Sequence, residues 1–132
     1  LDDYVKVDHH IPGCPFDMNG FLNTLKLALM GKKPSPIDYN VCAECKLREN
    51  GCLLDKKIPC MGPIVRGGCN ARCPTRKYPC EGCWGPSEDS EERIEAYLEI
   101  LRSYGIPEDE ITVKFRKYAG ATRQFGRFAG GH

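Results

Sequence analysis

Apolar residues recur with a helical period at both ends of this chain and lose that period in the middle. Near the start, apolar positions at 21, 22, 25, 28 and 29 predict one helix, capped by Asp17 and ended by Gly31. The stretch from 32 to 38 holds two prolines, so we expect an extended linker.

Two further helices are predicted after residue 86. Ser87 is expected to open the first, with acidic residues in its first turn and Gly105 at its end. Pro107 is expected to start the second. The apolar faces are those of Ile94, Tyr97, Leu98, Leu101 and Tyr104, then Ile111, Phe115 and Tyr118, and packing within the protein or on a partner explains both. Residues 120–132 lack the period of any element and are expected to form a flexible tail or to order against a partner.

The middle of the chain, from 41 to 84, has few residues that could build a core. It contains eight cysteines together with many glycines and prolines. A segment of this composition needs cross-links or metal to fold. Its structure is therefore expected to depend on what the cysteines bind.

The chain has nine cysteines, an odd number that does not suit a secreted disulfide framework. It starts with neither Met nor a basic and then apolar leader, and its longest apolar stretch is too short to span a bilayer. These features predict a cytoplasmic, reducing setting with thiolates as metal ligands. They also suggest a piece of a longer polypeptide.

Charge excludes some partners and fits one kind of cofactor. The net charge of +1 gives no field that would favour nucleic acid or a membrane surface. Between Cys42 and Cys83, however, there are eight basic and four acidic residues. Two oxidised four-iron clusters with their thiolates carry about −4 in total, which this local excess offsets.

The cysteine spacing is C-x2-C-x6-C-x7-C-x8-C-x3-C-x6-C-x2-C from Cys42 to Cys83. The eight residues divide into two sets of four, which two four-iron clusters or two zinc ions would satisfy. The run is not that of bacterial ferredoxins, and the single cysteines between the pairs favour iron–sulfur clusters over zinc ribbons. A zinc-stabilised interaction module is the alternative. The chain carries no nucleophile–base set, P-loop or dinucleotide fingerprint, so redox relay is the chemistry that remains.

Five motifs together resemble the small, electron-transfer subunit of nickel–iron hydrogenases. Within that family the sequence is most similar to the cytosolic, multi-subunit enzymes of the sulfhydrogenase or NADP-reducing type and the methyl-viologen-reducing type. The motifs are V-D-H-H-I-P-G-C-P over 7–15, V-C-A-E-C-K over 41–46, P-C-M-G-P over 59–63, G-C-N-A-R-C-P over 68–74 and P-C-E-G-C-W-G-P over 79–86.

The resemblance implies a subunit of an oxidoreductase acting on H2, with no catalytic residue on this chain. It implies partners in the large, nickel–iron subunit and in a flavin or iron–sulfur acceptor subunit. It also assigns the cysteines: Cys42, Cys45, Cys52 and Cys60 to a distal [4Fe–4S] cluster, Cys69, Cys73, Cys80 and Cys83 to a medial one, and Cys14 to an incomplete proximal one.

Comparison within the family refines that assignment. Some relatives have histidine at the position of Cys42 or proline at that of Cys73, so two all-cysteine clusters are expected here. Phe16 departs from the family, which often has proline there. A related complex I subunit (the 20 kDa subunit of NADH:ubiquinone oxidoreductase) is a further alternative, but it carries one cluster and has no need of the eight cysteines from 42 to 83.

The expected fold is a small, irregular, cysteine-rich two-cluster domain with a few flanking α-helices, largely lacking the upstream flavodoxin-like α/β domain of the family. Residues 1–40 are predicted to end the proximal-cluster domain and to form a linker. Residues 41–86 form the predicted two-cluster domain, 87–119 the C-terminal helices and 120–132 the tail.

Overall fold

The computed structural model describes residues 4–128, and over that range the protein is helical, without β-strands. Isolated bridges alone join extended segments, for example between Val65 and Pro86. Short 3₁₀ turns lie at Leu54–Lys56 and Gly62–Ile64. The α-helices are α1 (Met18–Leu29), α2 (Val41–Leu47), α3 (Arg72–Thr75), α4 (Ser90–Ser103), α5 (Glu108–Ala119) and α6 (Arg123–Gly126).

The chain divides into two compact units, Leu1–Pro36 and Ile37–His132. In the first unit, α1 begins after Asp17, whose carboxylate accepts a hydrogen bond of 2.9 Å from the N–H of Gly20. Gly31 follows the helix with a φ of +66°, a left-handed conformation that glycine adopts readily. The predicted cap and end of this helix are confirmed, as is the absence of helix between 32 and 38.

The second unit joins the cysteine-rich segment to the C-terminal helices through one core. Met61, Ile64 and Val65 are almost fully buried in it, and Ile64 lies in the turn against which α4 packs. The helices contribute Ile94, Tyr97, Leu98, Leu101, Ile111 and Phe115, as their apolar period predicts, whereas Tyr118 of the predicted face is 44% exposed. The middle segment thus buries apolar side chains in a core, whereas its composition suggested that it would depend mainly on what the cysteines bind.

The predicted start of the first helix after residue 86 was wrong. Helix α4 begins at Ser90, not at Ser87. Ser87 is fully buried, its N–H donates to the carbonyl of Ile64 at 3.0 Å, and its hydroxyl donates to Asp89 at 2.9 Å. A hydrogen bond to Ile64, which is distant in sequence, therefore engages Ser87, the residue whose type suggested a helix cap.

The region assigned to a tail contains a short helix, α6, instead of lacking structure throughout. Thr122 caps it, and Phe125 packs edge-on against Phe115 with ring centroids 5.1 Å apart. Phe125 is 1% exposed. The last four residues of the predicted tail, 129–132, lie outside the described part of the chain.

Candidate functional site

All nine cysteines are free thiols. Eight of them lie in the second unit, on α2, on α3 and on the loops between and after them. Cys60 and Cys80 are buried, whereas Cys52 and Cys73 are exposed. The ninth, Cys14, is exposed and belongs to the first unit.

Cys42, Cys45, Cys52 and Cys60, the first set, line one cavity. Helix α2 supplies Cys42 and Cys45 one turn apart, and the loops that follow supply Cys52 and Cys60. The cavity is partly open, measures about 100 Å³ and has a mainly apolar lining that includes Leu53. A volume of that size admits a group of several atoms, since about 10–15 Å³ on the same measure is enough for one water molecule.

A glycine lets the backbone approach these sulfurs. A Cβ atom on Gly62 would lie 3.1 Å from the sulfur of Cys42 and 3.7 Å from that of Cys60. The first distance is shorter than an ordinary van der Waals contact, so a larger residue would press on the thiols. The N–H of Gly62 also lowers the pKa of Cys60 against the effect of burial.

Burial and mutual repulsion oppose ionisation of the first set. Burial, followed by the neighbouring thiolates of Cys60, Cys45 and Cys52, raises the pKa of Cys42 to about 12. Burial likewise raises the pKa of Cys60. Four thiolates here therefore need a cationic group among them, and a metal centre supplies one.

The second four cysteines are also close enough to affect one another. Burial, and then the thiolate of Cys83, raises the pKa of Cys73. The thiolates of Cys60, which belongs to the first set, and of Cys69 and Cys83 add to the effect of burial in raising the pKa of Cys80. Each member of the predicted set thus lies within electrostatic range of at least one other.

Backbone N–H groups are directed at the sulfurs of this second set. Those of Arg72 and Ala71 lower the pKa of Cys69 against the effect of burial, and that of Gly82 does the same for Cys80. Hydrogen bonds from the backbone to sulfur are characteristic of iron–sulfur sites, where they adjust the potential. The donors, the thiols and the cavity of the first set therefore fit such clusters.

Glu44 is a part of the site that the sequence did not predict. It lies between Cys42 and Cys45 on α2 and is only 7% exposed. Its carboxylate accepts hydrogen bonds from the N–H of Gly68 at 2.6 Å and from that of Ala71 at 2.8 Å, on either side of Cys69. One helix thus carries two thiols of the first set and holds the loop of the second.

The two sets of cysteines meet at Cys60 and Cys80. The N–H of Cys80 donates to the sulfur of Cys60 at 3.2 Å, and its carbonyl accepts from the N–H of Met61 at 3.0 Å. This pair of hydrogen bonds fixes the two buried thiols beside each other.

Helix α5 reaches the last cysteine loop through an ion pair. Glu81, between Cys80 and Cys83, lies 2.9 Å from the ammonium of Lys114 and 3.1 Å from that of Lys117. Burial opposes ionisation of Glu81, but hydrogen bonds from the two lysines outweigh it and lower its pKa.

Residues 4–128 contain neither a site for a single metal ion nor a membrane-spanning helix. No three His, Cys, Asp or Glu side chains converge closely enough in that range to hold a single metal ion. No helix in the described part of the chain has the length and apolar character needed to cross a membrane.

Comparison with known proteins identifies hydrogenase subunits as relatives. The chain is 46% identical over 120 residues to the delta subunit of sulfhydrogenase 2 from Pyrococcus furiosus, covering 90% of this chain and 49% of that protein. It is 30% identical over 108 residues to a subunit of the F420-non-reducing hydrogenase vhu of Methanocaldococcus jannaschii, covering 68% of this chain and 38% of the relative.

A third relative bears on the cofactor. The iron-sulfur subunit of the F420-non-reducing hydrogenase of Archaeoglobus profundus is 24% identical over 157 residues, covering 98% of this chain and 49% of that protein. The chain spans about half or less of the length of these three relatives. No protein-family model matches it.

Proposed function

Since this chain belongs to the same family as the delta subunit of sulfhydrogenase and the corresponding subunits of F420-non-reducing hydrogenases, we propose that it is the iron–sulfur part of an electron-transfer subunit of a nickel–iron hydrogenase. Its partners in this proposal are the large subunit with the nickel–iron centre and an acceptor subunit. Its free thiols suit the reducing environment of the cytoplasm.

The observation that carries the proposal is the cavity lined by Cys42, Cys45, Cys52 and Cys60. Four thiols around a space for several atoms match the needs of a four-iron cluster. A zinc ion instead requires four sulfurs about 2.3 Å from one point.

Each set of four cysteines holds one [4Fe–4S] cluster in this proposal. The cavity set holds the distal cluster, the set from Cys69 to Cys83 holds the medial one, and Cys14 contributes to a third, proximal cluster. When bound, the clusters pass single electrons between the hydrogen-oxidising centre and the acceptor.

The rest of the chain keeps the two sites in position and controls solvent access. Apolar residues such as Leu53 line the first cavity, Gly62 makes room for two sulfurs, and Glu44 holds the loop around Cys69. The exposed Cys52 and Cys73 leave one edge of each site open to water or to a partner.

The test is anaerobic purification of the complete subunit in its hydrogenase complex, with Cys52→Ser and Cys73→Ser variants. These exposed thiols belong to different predicted sets, so each substitution is expected to alter or remove one cluster signal in electron paramagnetic resonance and leave the other. About four irons and about four acid-labile sulfides belong to each cluster. Cys14→Ser, an exposed thiol outside both sets, is expected to alter the signal of the proximal cluster and to leave the distal and medial signals unchanged.

Two results would contradict the proposal. A colourless protein with stoichiometric zinc would identify a zinc-stabilised module. Loss of the same signal in both cysteine variants would overturn the division into two sets of four.

A further inference from the structure

Helix α4 carries two buried hydroxyl groups, those of Ser90 and Tyr97, that have no hydrogen-bond partner among the described residues. Tyr97, the larger of the two, is 2% exposed. A buried hydroxyl without a partner costs free energy, and tyrosine hydroxyls in protein interiors are therefore usually hydrogen-bonded. The structure of the chain alone does not explain why this position is Tyr and not Phe.

The surroundings of Tyr97 contain sulfur. Its ring belongs to the same core as the buried Cys60, Met61 and Cys80, and a contact with Phe115, at 6.3 Å between ring centroids, fixes its orientation. Cys60 and Cys80 are the two thiols at which the predicted cluster sites meet. Tyr97 therefore shares its core with the two thiols at which the predicted sites meet.

The hydroxyl of Tyr97 is a hydrogen-bond donor, and sulfur is an acceptor.

A second tyrosine on the same helix shows the usual arrangement. The hydroxyl of Tyr104 donates to the carbonyl of Leu54 at 2.6 Å. Tyr104 thus has a backbone partner shortly after Cys52, whereas the hydroxyl of Tyr97 has no partner in the described part of the chain and is buried in the core that also holds Cys60 and Cys80. The hydroxyl of Tyr97 is therefore available to a group that the described polypeptide does not supply.

We propose that Tyr97 donates a hydrogen bond to a sulfur atom, thiolate or sulfide, of a cluster held by Cys60 or Cys80, and that this bond raises the reduction potential of that cluster. The inference rests on the proposed function. Hydrogen bonds to sulfur stabilise the more negative, reduced form, so removing one makes reduction harder. The C-terminal helices would then contribute to electron transfer and not only to packing.

The experiment is a redox titration of the complete subunit in its complex, followed by electron paramagnetic resonance, with Tyr97→Phe and the matched control Tyr104→Phe. Tyr97→Phe is expected to keep its iron and labile sulfide and to shift one cluster to a more negative potential. Tyr104→Phe removes a hydroxyl of the same kind from a backbone carbonyl and is expected to leave both potentials unchanged.

A second replacement covers the case in which Tyr97→Phe does not fold. Incorporating 3-fluorotyrosine at position 97 keeps the hydroxyl and makes it a stronger donor, so the same cluster is expected to shift to a more positive potential. Potentials that stay at the wild-type value in loaded protein, in whichever of the two replacements folds, would overturn the role of Tyr97 and leave the proposed function intact. A wild-type subunit without iron and sulfide would overturn both.

Discussion

Glu44 shows how one side chain can organise two sites. It is a buried carboxylate that accepts two backbone N–H groups from the loop around Cys69, while its helix carries Cys42 and Cys45. Two acceptor oxygens suit two nearby donors, and such charge-assisted bonds are stronger than neutral ones. The loop around Cys69 thus takes its position from α2.

Replacing Glu44 with Gln is expected to destabilise the protein by about 1–3 kcal/mol, because the amide N–H₂ group would face a backbone donor and leave it unpaired. The second predicted site is expected to lose iron before the first. Chemical denaturation and iron analysis of the anaerobic complex measure the two effects. Glu49→Gln, at an exposed position just after the same helix, is the control and is expected to change stability by less than about 0.5 kcal/mol. Equal stability of both variants would show that the Glu44 hydrogen bonds are not important.

The sequence predicts two sets of thiols but not the role of Glu44, for a physical reason. Cysteine spacing limits which thiols can share a cofactor, whereas a glutamate between two cysteines usually faces solvent. Its burial depends on the position of Gly68, which is distant in sequence. The burial of Tyr97 was predicted from the helical period, but the missing partner of its hydroxyl becomes visible only in three dimensions.

At the scale of elements, α5 is attached to the last cysteine loop by two lysines of unequal burial. The side chain of Lys114 is 11% exposed and that of Lys117 is 48% exposed, and both contact Glu81. Solvent weakens an exposed ion pair much more than a buried one. Substituting each lysine in turn therefore tests how burial affects the strength of its ion pair with Glu81.

Lys114→Gln is expected to lower the free energy of unfolding by about 1–2 kcal/mol, because it removes the more buried partner of Glu81. Lys117→Gln, one helical turn away, is expected to change it by less than about 0.5 kcal/mol. Denaturant titration of the two variants in parallel measures the difference. An equal effect of the two would mean that burial does not determine the strength of this contact.

A second prediction for this helix concerns Phe115, the centre of an aromatic group with Tyr97, Phe125 and Phe128. Phe115→Ala is expected to cost about 3–5 kcal/mol, because it leaves a cavity among these rings. Thermal unfolding measures the loss. Val113→Ala on the exposed side of α5 is the control and is expected to be nearly neutral. A small loss for Phe115→Ala would indicate that the core adjusts to fill the space.

The sequence predicted helix ends correctly where they depend on residues close together in the chain. The Asp17 cap and the left-handed Gly31 define α1 through contacts within a few residues. Ser87 misled the prediction because it binds the carbonyl of Ile64. Helix α6 was not predicted, since four residues carry no period and the burial of Phe125 depends on Phe115.

For the whole molecule, one core connects the cysteine-rich segment with α4 and α5. Metal and core therefore share the task of stabilising the second unit. Met61 and Ile64 lie deep in that core and are stabilised by apolar burial, whereas the exposed thiols of Cys52 and Cys73 lie at its edge.

Removing iron is expected to unfold residues 41–84, because cluster binding and folding are coupled in such segments. The loops around Cys52 and Cys73 are expected to lose hydrogen-exchange protection first, and the buried faces of α4 and α5 last. Hydrogen exchange and circular dichroism of the complex before and after anaerobic chelation measure this order. A metal-free chain with a native-like circular dichroism spectrum would contradict the prediction.

The hydrogen bond from the N–H of Cys80 to the sulfur of Cys60 also bears on how the protein matures. A thiolate bound to iron has a fixed position, so filling the first site would hold the backbone of Cys80 in place for the second. Filling the first site would then favour filling the second during biogenesis, although each site can keep its cluster without the other. A single N–H···S contact would thus link the two insertion events.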